Sequence, residues 1–125
     1  MKNKTIMIVS NDILFPQLFD TLLYRKIKGV NIVVCKSIQD IIDKVPPHSS
    51  NLGILDSTLN GVPSLEVIRY LRMERHVVTP LFYFADIQTE AYTYKAYEMG
   101  ASKIIHKPFD PNIITDEIAQ QINRF

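Results

Sequence analysis

The residues in this sequence best suited to chemistry stand just after short apolar runs. Ser10, Asn11 and Asp12 follow Ile6-Met7-Ile8-Val9, and Asp56 follows Leu52-Gly53-Ile54-Leu55. Ala85 and Asp86 close the run that begins at Val77, and His106 and Lys107 follow Ile104-Ile105. A carboxylate and a lysine brought together suit work on an anionic group. The carboxylate can attack as a nucleophile, and the ammonium acts as a point charge on what is transferred. Other chemistries lack their residues. No G-x-G-x-x-G or G-x-x-x-x-G-K-[ST] loop is present to cradle a nucleotide, and no G-x-S-x-G elbow presents a hydrolytic serine. His48, His76 and His106 are scattered and do not have the spacing of metal ligands. With no nucleophile–base pair apparent, an enzyme is not expected.

The elements that must carry these residues alternate along the chain. Residues 5–9, 32–35, 52–55, 77–84 and 104–105 are short, largely β-branched or aromatic runs that read as strands, the fourth interrupted near its start by Pro80. Helical patterns fill the gaps. The first places Leu14, Leu18, Leu22 and Tyr24 on or near one face and stops at Gly29, with Pro16 tolerated in its first turn. Ser37 can cap a second helix carrying Ile38, Ile41, Ile42 and Val45. Residues 57–63 read as a loop leading to Ser64, an expected N-cap for the stripe Leu65, Ile68 and Leu71. Residues 87–99 form a fourth helix ending at Gly100, and residues 110–123 a fifth with Ile113, Ile114, Ile118 and Ile122 inward. Five strands alternating with five helices predict an α/β fold, a doubly wound, flavodoxin-like (βα)5 architecture with a parallel sheet covered on both faces. In such a sheet ligands bind beyond the carboxyl ends of the strands, where the four groups of polar residues fall.

Composition narrows the setting. The chain has 125 residues, which suits a single domain over residues 1–125, and 14 Lys and Arg against 13 Asp and Glu leave a formal charge of +1. That balance gives no electrostatic argument for direct nucleic-acid binding or an anionic membrane. No run approaches the ~20 apolar residues of a membrane span. One cysteine, Cys35, suits a reducing, cytoplasmic compartment and reads as a small core hydrophobe.

Several segments together resemble the receiver domain of bacterial two-component response regulators. The resemblance covers essentially the whole chain. It is carried by residues 6–12, by Ile54-Leu55-Asp56, by Gly61-Val62-Pro63-Ser64-Leu65-Glu66-Val67-Ile68, by Thr79-Pro80-Leu81-Phe82, and by Gly100-Ala101 followed by Lys107-Pro108-Phe109. The resemblance implies that Asp56 is the phosphoacceptor and Lys107 the lysine that contacts the phosphoryl group. It implies a histidine kinase or phosphotransfer protein as partner, met through helix one, where Leu14, Phe15 and Leu18 stand. It also implies an effector protein or a second copy on the face of helix four, strand five and helix five, near Tyr92, Tyr94 and Tyr97.

The match is partial. The two acidic positions that help hold Mg²⁺ in the family fall on Ser10 and Asn11, with Asp12 one residue beyond. The strand-four hydroxyl position falls on Ala85 and the strand-five aromatic switch position on Ile104. Asp56 and Lys107 alone sum to about zero charge. A unit charge near 4 Å is worth ~4 kcal/mol at an effective dielectric of 20, so each lost carboxylate matters. Mg²⁺ is therefore expected to bind weakly, with Asp56 and the Asn11 carbonyl as its ligands. Coupling to the output face is expected to lack both usual moving parts. This describes an atypical receiver. The alternative is a small-molecule-binding flavodoxin-like domain that uses the same pocket of Ser10, Asn11, Asp56 and Ala85.

Overall fold

The computed structural model describes residues 3–123. Its elements run in chain order β1 (Thr5–Val9), α1 (Leu14–Lys26), β2 (Asn31–Cys35), α2 (Ile38–Lys44), β3 (Leu52–Leu55), β4 (Thr58–Leu59), β5 (Val62–Pro63), α3 (Ser64–Met73), β6 (Leu81–Ala85), α4 (Glu90–Met99), β7 (Lys103–His106) and α5 (Pro111–Asn123). The main sheet has the order β2-β1-β3-β6-β7, and all four of its pairings are parallel. This is the expected five-stranded, doubly wound sheet; its fourth and fifth strands are β6 and β7.

Alternation along the strands divides the interior into two layers. Ile6, Ile8, Ile54, Phe82 and Phe84 face α1 and α5, whereas Met7, Val9, Leu55, Tyr83 and Ala85 face α2, α3 and α4. On the first side, Phe15, Phe19, Phe84 and Phe109 form a connected aromatic cluster, with ring centroids 4.8–5.8 Å apart. Edge-to-face pairs of this kind add to the simple gain from burial.

Several local expectations are corrected. In α1 the buried residues are Phe15, Pro16, Phe19 and Leu23, while Leu14, Leu18 and Tyr24 are exposed. Two i, i+4 series offset by one residue compete for that face, and the one carrying the larger phenylalanine surface takes the core. Ile113 is exposed, leaving Ile114, Ile118 and Ile122 as the buried isoleucines of α5. Ser64 is the first residue of α3 and not its cap: Pro63 occupies the cap position, and the Ser64 hydroxyl is buried with no hydrogen-bond partner among the described residues. β6 begins at Leu81, after Pro80, so Val77 and Val78 lie outside it. Ser37 caps α2 as expected, its Oγ accepting the Asp40 N–H at 3.0 Å.

The segment read as a loop, 57–63, contains a hairpin. Thr58 pairs with Pro63 and Leu59 with Val62. Asn60 and Gly61 form the turn with φ of 52° and 80°, the left-handed pair a type I′ turn requires.

Candidate functional site

Three ladder hydrogen bonds, each just beyond a paired strand segment, set the site. Ser10 N–H donates to Cys35 O at 3.0 Å, Asp56 N–H to Val9 O at 3.0 Å, and Lys107 N–H to Ala85 O at 3.0 Å. The backbones of Ser10, Asp56 and Lys107 are thereby fixed at the carboxyl edge of the sheet before any side-chain contact is made.

Asp56 is the centre. Its side chain is 10% exposed and receives three donors: the Ser10 hydroxyl at 2.8 Å on Oδ2, and on Oδ1 the Ser57 N–H at 2.8 Å and Lys107 Nζ at 2.5 Å. A buried carboxylate survives only when paired and hydrogen-bonded in this way. The ring of Phe15 lies 5.4 Å from Lys107 Nζ and supplies a further surface for the ammonium.

The other residues expected at the site each have a definite place. Ser10 is fully buried, and its oxygen also accepts the Asp12 N–H at 3.1 Å. Asp12 is exposed and meets Ser10 through this backbone bond. Asn11 turns away from Asp56: its Oδ1 accepts the Asn60 N–H of the hairpin at 2.8 Å, and Asn60 Nδ2 donates onward to Lys36 O at 3.0 Å. Ala85 is buried at the end of β6. Ile104 packs against the layer under α3 and α4. Behind the site the Tyr83 and Tyr92 hydroxyls lie 3.1 Å apart, joining β6 to α4, and burial holds the Tyr83 phenol far above the ordinary range.

Asp86, expected only as a strand-end residue, and Ser57, expected only as the start of a loop, both reach the site. Ser57 Oγ donates to Asp86 Oδ2 at 2.6 Å, and Lys107 Nζ lies 3.6 Å from Asp86 Oδ1. The placement of Asp86 directly after β6 puts it at the same sheet edge as Asp56, but its pairing through Ser57 had no signal in the sequence. With Asp86 included the site carries two carboxylates and one lysine, a formal charge near −1 and not zero.

These residues do not reproduce a magnesium cradle. Both oxygens of Asp56 already accept protein donors, the Asn11 oxygen is committed to the hairpin, and the Ser10 hydroxyl occupies the corner between β1 and β3. Among the described residues no group of three or more His, Cys, Asp or Glu is placed to hold a metal ion.

Comparison with known proteins places this geometry in a family. The model of the response regulator receiver domain matches residues 6–119, and the chain belongs to that family. It is similar to the transcriptional regulatory protein CrdR of Helicobacter pylori, 26% identical over 97 residues, 78% of this chain and 44% of the relative. The chain thus spans less than half the length of that relative. Similar solved structures include a two-component response regulator from Clostridium difficile, 19% identical with a TM-score of 0.83 and 98% of each chain covered. A Francisella response regulator receiver domain gives 13% and 0.82, again over 98% of each chain. The BeF3-activated DrrB receiver domain gives 18% and 0.76 over 98% of this chain and 100% of that one. At these identities the structures establish the fold, and the family match gives the two-component signalling class and does not favour the small-molecule alternative. No helix among the described residues is long and apolar enough to cross a membrane.

Proposed function

We propose that this domain is an atypical receiver of two-component signalling in which Asp56 accepts a phosphoryl group and Lys107 holds it, with little help from Mg²⁺. The observation that supports this reading is the 2.5 Å pair between Lys107 Nζ and Asp56 Oδ1 at the carboxyl ends of β7 and β3, in a chain of the receiver family. In the transfer, an Asp56 carboxylate oxygen attacks phosphorus and an O–P bond forms. The donor's P–N bond breaks, as in a phosphohistidine, and its electron pair stays on the donor nitrogen. Lys107 balances the added charge.

A histidine kinase or phosphotransfer protein is the fitting donor. Beside the site lies an open groove of about 460 Å³, lined by Asp12, Leu14, Leu18, Lys107, Pro108 and Pro111. Its apolar walls suit a docking helix. On the far side, exposed Tyr94 and Tyr97 with His106 line the α4–β7 face, which would meet an effector or a second copy.

The test is an amide NMR titration with Mg²⁺ and then beryllofluoride, on the wild type and Asp56→Asn. Saturable shifts at Asp56, Ser57 and Lys107 that vanish in the variant are expected with beryllofluoride, and weak shifts with Mg²⁺ alone. No response to beryllofluoride at millimolar concentration would remove Asp56 as a phosphoacceptor.

A further inference from the structure

Ala85 has no hydroxyl with which to draw the β6–α4 loop toward Asp56, yet that loop is tied to the site. Asp86 reaches it by two routes. Lys107 Nζ lies between the carboxylates, 2.5 Å from Asp56 Oδ1 and 3.6 Å from Asp86 Oδ1. Ser57 donates its backbone N–H to Asp56 Oδ1 at 2.8 Å and its hydroxyl to Asp86 Oδ2 at 2.6 Å. Two residues further on, Gln88 Nε2 donates to Lys107 O at 2.7 Å. Thr89 then caps α4, its Oγ accepting the Tyr92 N–H at 3.2 Å. Any displacement of Asp86 is therefore passed within three residues to the start of α4, which carries the exposed Tyr94 and Tyr97.

From this geometry we infer that Asp86 is a positioning residue that couples the charge on Asp56 to α4, by release and not by capture. The inference rests on Asp56 being the phosphoacceptor. While Asp56 is a carboxylate, Lys107 serves both acidic groups and Asp86 holds the loop against the sheet edge. A phosphoryl group on Asp56 adds negative charge and acceptor oxygens at the same place. Lys107 and the Ser57 hydroxyl turn to those oxygens, since a charged acceptor is the stronger partner. Asp86 then loses its hydroxyl donor and its ion-pair partner and faces like charge, and the loop lets go. The carboxylate thus discriminates between the two states of Asp56, as a coupling group must if it is to shift an equilibrium.

The experiment compares wild type, Asp86→Ala and Asp86→Asn by amide hydrogen exchange and NMR shifts, without ligand and with beryllofluoride. The Asp86 side chain is 60% exposed, so both substitutions leave the core intact. Without ligand, Asp86→Ala should raise exchange over residues 87–94 by roughly three- to tenfold, the signature of a lost local tether. Its shifts there should move toward those of the beryllofluoride-bound wild type. Asp86→Asn keeps an acceptor for Ser57 but has no charge to be repelled. It should resemble wild type without ligand, yet respond to beryllofluoride at Ser57 and Lys107 with little change in α4. Wild-type exchange in Asp86→Ala, or a full α4 response in both variants, would overturn the inference. If beryllofluoride shifts nothing in any of the three proteins, the phosphoacceptor reading fails and the coupling with it. The ligand-free exchange then still decides whether Asp86 tethers the loop.

Discussion

The hydroxyl of Ser10 donates to Asp56 Oδ2 at 2.8 Å while its oxygen accepts the backbone N–H of Asp12 at 3.1 Å. One neutral, fully buried side chain thereby satisfies the inner oxygen of the central carboxylate and fixes the turn out of β1. A carboxylate at the same position would face Asp56 as a like charge and would need a cation between them. Serine at this position therefore satisfies the Asp56 oxygen without setting a second negative charge beside it.

Replacement of Ser10 tests this directly. Ser10→Ala strips a donor from a buried carboxylate oxygen and should cost about 1–3 kcal/mol of unfolding free energy in a urea titration. Ser10→Asp should lower Tm in metal-free buffer and recover much of the loss in millimolar Mg²⁺, whereas wild-type Tm should change little. A Ser10→Asp protein indifferent to Mg²⁺ would contradict the account.

A half-buried polar group holds the opposite end of the sheet. The Arg72 guanidinium donates to Gly100 O at 3.0 and 2.8 Å, to Val77 O at 2.8 Å and to Thr79 O at 2.7 Å, tying α3 to the approach to β6 and the α4–β7 turn. Burial lowers its pKa from the ordinary value, and the planar fork matches three carbonyls that a lysine cannot reach together. Arg72→Ala should cost about 2–4 kcal/mol and Arg72→Lys should recover little of it. Gly100→Ala should also destabilise, because φ is +117° and a Cβ there would lie 2.6 Å from Arg72 Cγ. Measured in urea, the two losses should be less than additive, since they disturb one contact.

The hairpin of β4 and β5 depends on Asn60 and Gly61. No atom lies within 4 Å of a Cβ built on Gly61, so the cost of Gly61→Ala comes from its φ of +80° alone, about 1 kcal/mol. Asn11→Ala removes the acceptor for the Asn60 N–H and should speed amide exchange over residues 58–63 without altering the beryllofluoride response at Lys107. An altered response would mean that Asn11 acts at Asp56 and not on the hairpin.

What the sequence disclosed, and what it concealed, follows from the physics of particular residues. β1 and β3 were readable because a strand buried on both faces is an unbroken apolar run. Asp56 followed from β3, and Lys107 from the short run Ile104-Ile105 of β7, since the fold rule places ligands at strand ends. The buried face of α1 was not readable, because Leu14-Leu18-Leu22 and Phe15-Phe19-Leu23 have equal spacing and the choice is made by tertiary packing. The hairpin did carry a signal, Asn60-Gly61, but two-residue strands are too short to show periodicity. Asp86 was readable as a strand-end carboxylate, but its pairing with Ser57 and Lys107 was not, because it depends on the path of a loop, which no pattern of apolar residues specifies.

Cys35 gives a prediction about pH. It is fully buried at the end of β2, and burial, reinforced by nearby Asp40 and opposed by Lys44, raises its thiol from 9.0 to about 11. The folded protein thus holds the proton more tightly than the unfolded chain does. Stability from this source is complete below pH 9 and is lost as pH rises through about 11. Two pH units correspond to a loss of up to about 2–3 kcal/mol across that window. Cys35→Ala has no thiol to titrate, so its deficit against wild type in urea unfolding should be largest at pH 8 and shrink toward pH 11. At pH 8 a thiol-specific reagent should label wild type only as fast as the protein opens. A deficit that stays constant from pH 8 to 11, together with rapid labelling of the folded protein, would place the thiol in contact with water.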